Sequence, residues 1–289
     1  MIRYADNSSR QAVFDMWKTV FGDSPEYMEI YFREKYRNEN TLIYFDSGKA
    51  VSSLQMLPFR FSFHGRMIPV AYFSGLCTLP EARRKGFMGA LIRRAFDELE
   101  KRAVPLVMLV PQDEPVMNYY RQFGFVQTFD EGVVLPDLHQ LLSGSESLDL
   151  AYGEFNSFFR HRDMAIQHSV DHFRAIAEEA ALFGYPPKRS LTGMSRVIDA
   201  EKLLAIFAAA HPETALTLKV SDSLIERNNA YFQLENGRVS IPEEGAAPKL
   251  ELDAGELTRL LTGYRIAEMG EEYTLYFPEK EPLIGYMME

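Results

Sequence analysis

Residues 75–90 read GLCTLPEARRKGFMGA, and the way this stretch changes character decides the fold. An apolar, strand-like run over 71–79 meets Pro80. Arg83, Arg84 and Lys85 follow, then Gly86, two large apolar residues (Phe87 and Met88), and Gly89. Beyond them Leu91, Ile92, Ala95, Phe96 and Leu99 recur at the spacing of one helical face. The order is strand, basic glycine-containing loop, helix N-terminus. The first N–H groups of a helix have no internal partners, and the helix dipole favours negative charge there. Glycine lets an anion come close to the backbone, and arginine supplies forked donors for phosphate. From Arg83 to Arg102 the bases Arg83, Arg84, Lys85, Arg93, Arg94, Lys101 and Arg102 outnumber the acids Asp97, Glu98 and Glu100, in a chain of formal charge −10. The stretch reads as a phosphate-binding loop.

The rest of the chain bounds what such a loop could serve. A length of 289 residues accommodates about two domains, and 46% hydrophobic with 25% charged residues is ordinary for a globular protein. A single cysteine excludes an internal disulfide framework and fits a reducing, cytoplasmic compartment. No apolar run approaches the ~18 residues of a membrane span, and the opening MIRYADNSSRQ has no apolar signal core. The acidic balance argues against nucleic-acid binding and is compatible with a cationic substrate.

Taken in order, Asn7 or Ser8 can cap a first helix with Phe14, Trp17 and Phe21 on one face. Ser24-Pro25 opens a second, with Tyr27, Ile30 and Tyr31 on its apolar side. Strands are expected over 42–45 and 51–56; Phe59, Phe61 and Phe63 alternate into a His64-Gly65 turn, and 67–79 returns. After the helix ending near Lys101 come a buried-type strand over 105–110, a short helix over 116–122 and a strand over 125–129. Residues 130–150 form a junction in which 141–147 reads as a surface link. A helix is expected from Val170. His168 and His172, four apart, read as a solvated face, since two histidines alone do not make a metal site. After a break at 184–190, residues 194–199 read as a short strand ending in a helix cap. Leu203, Leu204 and Phe207 mark a helix, 215–220 and 229–234 mark strands, and Asn236-Gly237 a hairpin turn. Leu250-Glu251-Leu252 and a capping Asp253 lead into a last helix through Leu261.

The loop has neither the GxxxxGK[ST] nor the GxGxxG pattern. It resembles the coenzyme A loop of the GNAT acetyltransferase superfamily, Arg/Gln-x-x-Gly-x-Gly/Ala. Arg83 and Gly86 match, and Met88 stands where Gly or Ala is usual. Arg83, Arg84, Gly86, Phe87 and Met88 fit the Arg-Arg-x-Gly-large-large variant of the enhanced intracellular survival branch. A second stretch, Asn118-Tyr119-Tyr120-Arg121-Gln122-Phe123-Gly124-Phe125, resembles the Tyr-x-x-Phe-Gly-Phe/Tyr signature that closes the GNAT cofactor site. Toward the C-terminus, Arg196-Val197-Ile198-Asp199, Val220-Ser221-Asp222 and Leu260-Leu261-Thr262-Gly263 stand where the sterol-carrier-protein-like module of that branch has its recurrent blocks.

The resemblance implies a mixed α+β fold. A GNAT domain over 1–135, with a central mixed sheet flanked by helices, would be followed by a reduced middle or linker region over 136–190. A smaller α+β sterol-carrier-protein-like domain would occupy 191–289. It implies an acetyl-coenzyme-A-dependent N-acetyltransferase without a metal, acting on a primary amine of a small molecule or peptide. Neither nucleic acid nor a membrane is an expected partner, and a homo-oligomer is compatible with it. The backbone of Leu76, Cys77 and Thr78 would pair with the pantetheine arm. Arg83, Arg84, Lys85, Gly86, Phe87, Met88 and Gly89 would hold the pyrophosphate, and Asn118 would join the cofactor site. Tyr120 takes the place of the general acid: a phenol near ~10 can protonate a thiolate whose conjugate acid lies around 8–9. The amine must lose a proton before it attacks, yet no His or Glu of the N-terminal domain stands at an obvious base position. In the resembling branch the chain's terminal carboxylate serves as base, so Glu289, through its side chain or its terminus, is the candidate. The competing assignment for 283–288 is that they seal the C-terminal module. The competing function is a non-catalytic acyl-coenzyme-A or lipid-binding protein that uses that module as its ligand chamber.

Overall fold

The computed structural model describes residues 1–242 and 247–288. The chain begins β1 (Ile2–Tyr4), α1 (Arg10–Phe21), α2 (Pro25–Glu34), β2 (Thr41–Asp46), β3 (Lys49–Phe63), β4 (Arg66–Thr78). It continues α3 (Phe87–Lys101), β5 (Leu106–Leu109), α4 (Glu114–Arg121), β6 (Val126–Phe129). A middle stretch adds α5 (Leu138–Gly144), α6 (Leu148–Arg160), β7 (Ile166–Gln167) and α7 (Val170–Leu182). The remainder is β8 (Gly193–Val197), α8 (Ala200–Ala210), β9 (Leu216–Ser221), β10 (Ala230–Glu235), β11 (Arg238–Ser240), β12 (Leu250–Asp253), α9 (Ala254–Thr262) and α10 (Glu271–Thr274).

Local chemistry sets most of these boundaries. Ser24 caps α2 by accepting the Tyr27 N–H at 3.2 Å, with Pro25 in the first turn. The cap of α1 is Ser9 rather than Asn7 or Ser8, and its hydroxyl makes no cap bond because it is turned to the Asp6 carboxylate, 2.8 Å away. Ser47-Gly48, His64-Gly65 and Asn236-Gly237 all have positive φ at both residues, as tight hairpin turns require. Asp253 and Glu256 form a reciprocal capping box at α9.

The spine is the antiparallel pair β3 and β4, of 15 and 13 residues. Side chains alternate across it. Phe59, Phe61, Phe63, Val70 and Tyr72 enter one apolar cluster with α1, α2, α6 and α7. Leu54, Met56, Ala71 and Phe73 enter another with α3 and α4. The large sheet has the order β1-β2-β3-β4-β5-β8-β6, with β7 on β3; the small one is β11-β10-β9-β12. The large sheet is mixed, because β4 runs parallel to β5 while β8 is antiparallel to both β5 and β6.

Two features depart from the sequence reading. The strand expected to open the C-terminal module, β8, lies inside the first sheet. Its Arg196 is buried there at 1% exposure, donates to Asp222 Oδ1 at 2.7 Å and to the Phe123 carbonyl, and ties the C-terminal elements to the first sheet. The stretch before α7 also holds a helix, α6, whose Phe155 and Phe159 are fully buried. The surface link is thereby confined to residues 145–147 between α5 and α6.

Candidate active site

The site starts where β4 stops pairing. Val70, Ala71 and Tyr72 register with Leu106, Val107 and Met108 of β5. From Phe73 to Thr78, β4 keeps only its β3 partner among the described residues. The cause is a bulge: the β3–β4 register shifts between Ser53 and Gln55, opposite Gly75, whose φ is 58°. Leu76, Cys77 and Thr78 therefore sit on a strand edge that opens away from β5. Cys77 itself is 2% exposed, hydrogen-bonds Ser53 at 3.2 Å, and has its thiol pushed up to about 11 by burial. It can contribute backbone, not a nucleophile.

The edge leads through Pro80 to Arg83, Arg84, Lys85 and Gly86, all exposed. Arg84 and Gly86 both have left-handed backbone, φ 61° and 81°, which turns successive N–H groups toward one concavity. Gly86 is the N-cap of α3 and offers no capping side chain; the first turn contains no acid. Ala90 is the first residue to bond back, to the Gly86 carbonyl at 3.0 Å, so the amides of Phe87, Met88 and Gly89 lack helical acceptors. Gly89 is close-packed: a methyl group there would stand 3.3 Å from Phe123. Free amides, an αL pair, a dipole end and three cations fit a pyrophosphate, and the open β4 edge beside them fits an extended amide-bearing arm.

Tyr120 comes from α4, which Asp113 caps by accepting the Val116 N–H at 2.9 Å. Its side chain joins Leu76, Met88 and Phe125 in the α3–α4 cluster. It is 7% exposed, its hydroxyl has no protein partner among the described residues, and burial pushes its phenol upward, so it stays protonated at neutral pH. Tyr119 packs edge-on to Phe123 and is half-buried. Asn118 is exposed, its oxygen held by Arg121. Glu289 lies outside the described residues. Gly124 in the same signature has a second duty: with φ 76°, a methyl group there would come 3.0 Å from the buried Arg196.

On the opposite face the structure gathers polar groups to which the sequence reading gave no place in the site. Tyr31 shares its hydroxyl with Ser74 at 2.8 Å and Gln55 at 3.2 Å. Lys35 is 8% exposed, pushed down to about 8 by burial, with its Nζ 5.3 Å from the Phe59 ring centroid. His168 and His172 do not form a solvated face. His168 is 4% exposed and held by the Gly285 carbonyl at 3.0 Å, and His172 packs 4.3 Å from Phe59. Burial depresses both imidazoles, His172 to about 3. The helical spacing of the two histidines was the available signal; their burial depends on Phe59, Phe155 and Phe159 arriving from elsewhere.

This strand, glycine loop and helix start, with a buried tyrosine in the adjoining apolar cluster, coincides with a domain-level match. Residues 1–128 match the family model described as an acetyltransferase (GNAT) domain. The chain carries a GNAT acetyltransferase domain. Residues 197–271 match a sterol carrier protein domain. Among solved structures, a GCN5-related N-acetyltransferase from Anabaena variabilis ATCC 29413 superimposes with a TM-score of 0.70 at 16% identity, covering 98% of each chain. One from Kribbella flavida gives 0.64 at 14%, over 93% of this chain and 90% of that one. Eis1 from Mycobacterium abscessus gives 0.61 at 14%, over 91% and 90%. At these identities the likeness is one of fold. A search of the curated proteins finds no match. Among the described residues, no helix is long and apolar enough to cross a membrane, and no cluster of three or more His, Cys, Asp or Glu could hold a metal.

Proposed function

We propose that the protein transfers an acetyl group from acetyl-coenzyme A to a primary amine. The observation that carries this is the continuity of the open β4 edge at 73–78 with the free amides of Arg84 to Gly89, under the buried phenol of Tyr120. Acetyl-coenzyme A would supply the thioester that drives the transfer. The chain's own residues do the rest. Backbone groups of Leu76 to Thr78 orient the arm, and the αL loop and α3 N-terminus hold the pyrophosphate. Tyr120, kept protonated by burial, donates to the departing sulfur.

Thiol release from acetyl-coenzyme A, measured against a panel of polyamines, aminoglycosides and N-terminal peptides, tests the reading. Amine-dependent release with a mass gain of one acetyl group on the amine supports it. Coenzyme A binding with no turnover on any amine would favour a non-catalytic acyl-coenzyme-A carrier, the role to which the sterol carrier protein match at 197–271 lends weight.

A further inference from the structure

Where β4 and β5 part, the two faces of the sheet are furnished differently. Leu109 turns toward Tyr120 and the α3–α4 cluster, whereas the next residue, Val110, packs on the α1–α2 side. Beside Val110 is a cavity of about 340 Å³ with apolar walls from Leu191, Ile284, Met287 and Met288. Among the described residues that line it, the acid is Glu179 of α7, 5% exposed. Lys188 Nζ lies 3.3 Å from its Oε1. Arg189 and Tyr286 line the same cavity, and Lys35, which follows α2, acts on the Glu179 carboxyl through space.

We propose that Glu179 is the general base of the transfer and anchors the acceptor's amine in this cavity, which suits a small primary amine on an apolar body. This rests on the acetyl-transfer reading above. Burial outweighs the neighbouring lysines and raises the Glu179 carboxyl above the ordinary range, which brings a carboxylate closer to the pH at which a base is most effective. The step balances as follows. Glu179 takes one proton from the ammonium, and the freed lone pair forms the C–N bond to the acetyl carbon. The C–S bond breaks with its electron pair on sulfur, which takes the Tyr120 proton. The nitrogen sheds a second proton on becoming an amide; it returns to Tyr120 through water, while Glu179 releases its own to solvent. Proton donor and proton acceptor thus act from opposite faces of one sheet.

The test is the pH profile of kcat/KM on the best amine of the panel, for the full chain and for Glu179→Gln. The wild type should show an acidic limb set by a carboxyl. Glu179→Gln should lose ~10²-fold at neutral pH, lose that limb, and recover as the pH approaches the amine's own pKa, with coenzyme A affinity within twofold by calorimetry. Lys188→Met, which removes the nearest cation but leaves the carboxyl in place, should move the acidic limb to higher pH. An unchanged profile in Glu179→Gln overturns the assignment. Should that variant fail to fold, an unmoved limb in Lys188→Met overturns it equally. Transfer by the wild type with an unaltered Gln variant sinks this inference alone; absence of transfer to any amine sinks it together with the reading beneath it.

Discussion

Replacing Gly75 by alanine tests the bulge on which the site depends. The backbone there is left-handed at φ 58°, and an added methyl group would stand 2.5 Å from Trp17 Cζ3 and 2.6 Å from Gln55 Nε2. Neither neighbour can retreat easily. The Trp17 indole is fixed by Asp23 at 2.7 Å and packs against Tyr31 with ring centroids 4.4 Å apart, and Gln55 accepts from Tyr31. Left-handed backbone costs an L-residue ~1–2 kcal/mol. Overpacking a filled interior adds ~1–3 kcal/mol. Loss of glycine's freedom in the unfolded chain returns ~0.4–1 kcal/mol. The net expectation is a loss of roughly 1–5 kcal/mol, centred near 3, read from urea denaturation with an unchanged slope. Gly22→Ala is the control. It has φ 72° and nothing within 4 Å of the new methyl group, so it should lose no more than ~1–2 kcal/mol. Equal losses in the two variants would refute the claim that Trp17 and Gln55 leave no room for a side chain at Gly75.

The loop, the acid and the buried ion pair offer further checks. Gly86→Asp puts a carboxylate where the pyrophosphate would lie, in open space at a left-handed position. Coenzyme A affinity should fall by at least ~1.4 kcal/mol, about tenfold, and unaltered calorimetric binding would remove the loop from the site. Tyr120→Phe keeps the ring and deletes the proton. Turnover should drop by ~10²-fold or more with cofactor affinity held, and equal turnover would return Tyr120 to the packing residues. Asp222→Ala strands the Arg196 guanidinium in a site 1% exposed, for an expected loss of ~3–5 kcal/mol in chemical denaturation. Arg196→Met added to that variant should restore part of it.

The strand, glycine loop and helix start of the candidate site were legible because their determinants are local. Strand, glycine loop and helix start follow one another between Leu76 and Gly89, and αL geometry at Gly86 is what a glycine before a helix announces. The capping residues Ser24 and Asp253 are equally local. What escaped depends on partners distant in sequence. Residues 193–197 show a strand's character, but nothing in them says which sheet they enter. Arg196 reads as one residue of a short strand; its burial depends on Phe123 and Asp222, which close around it. Helix α6 carries Gly153 and Asn156, weak helix formers, and is held by Phe155 and Phe159 packing on α7 and His168. Glu179 lies in the middle of a helix like any solvated acid; only Val110 and the Met287–Met288 stretch make its surroundings a cavity.

The position of β8 has a consequence for handling the protein. Residues 1–128 stop before the strand that fills the space between β5 and β6. Cut there, the chain would leave a naked edge of four apolar residues, Leu106–Leu109, and a detached β6, both inviting pairing with another molecule. During synthesis, too, the sheet carrying the basic glycine loop stays incomplete until Val197 has left the ribosome. Expression of the isolated domain should then yield aggregates, while fragments ending beyond α9 keep the strand and its Arg196 anchor. The unit that ought to be moved, fused or circularly permuted is larger than the stretch bearing the chemistry.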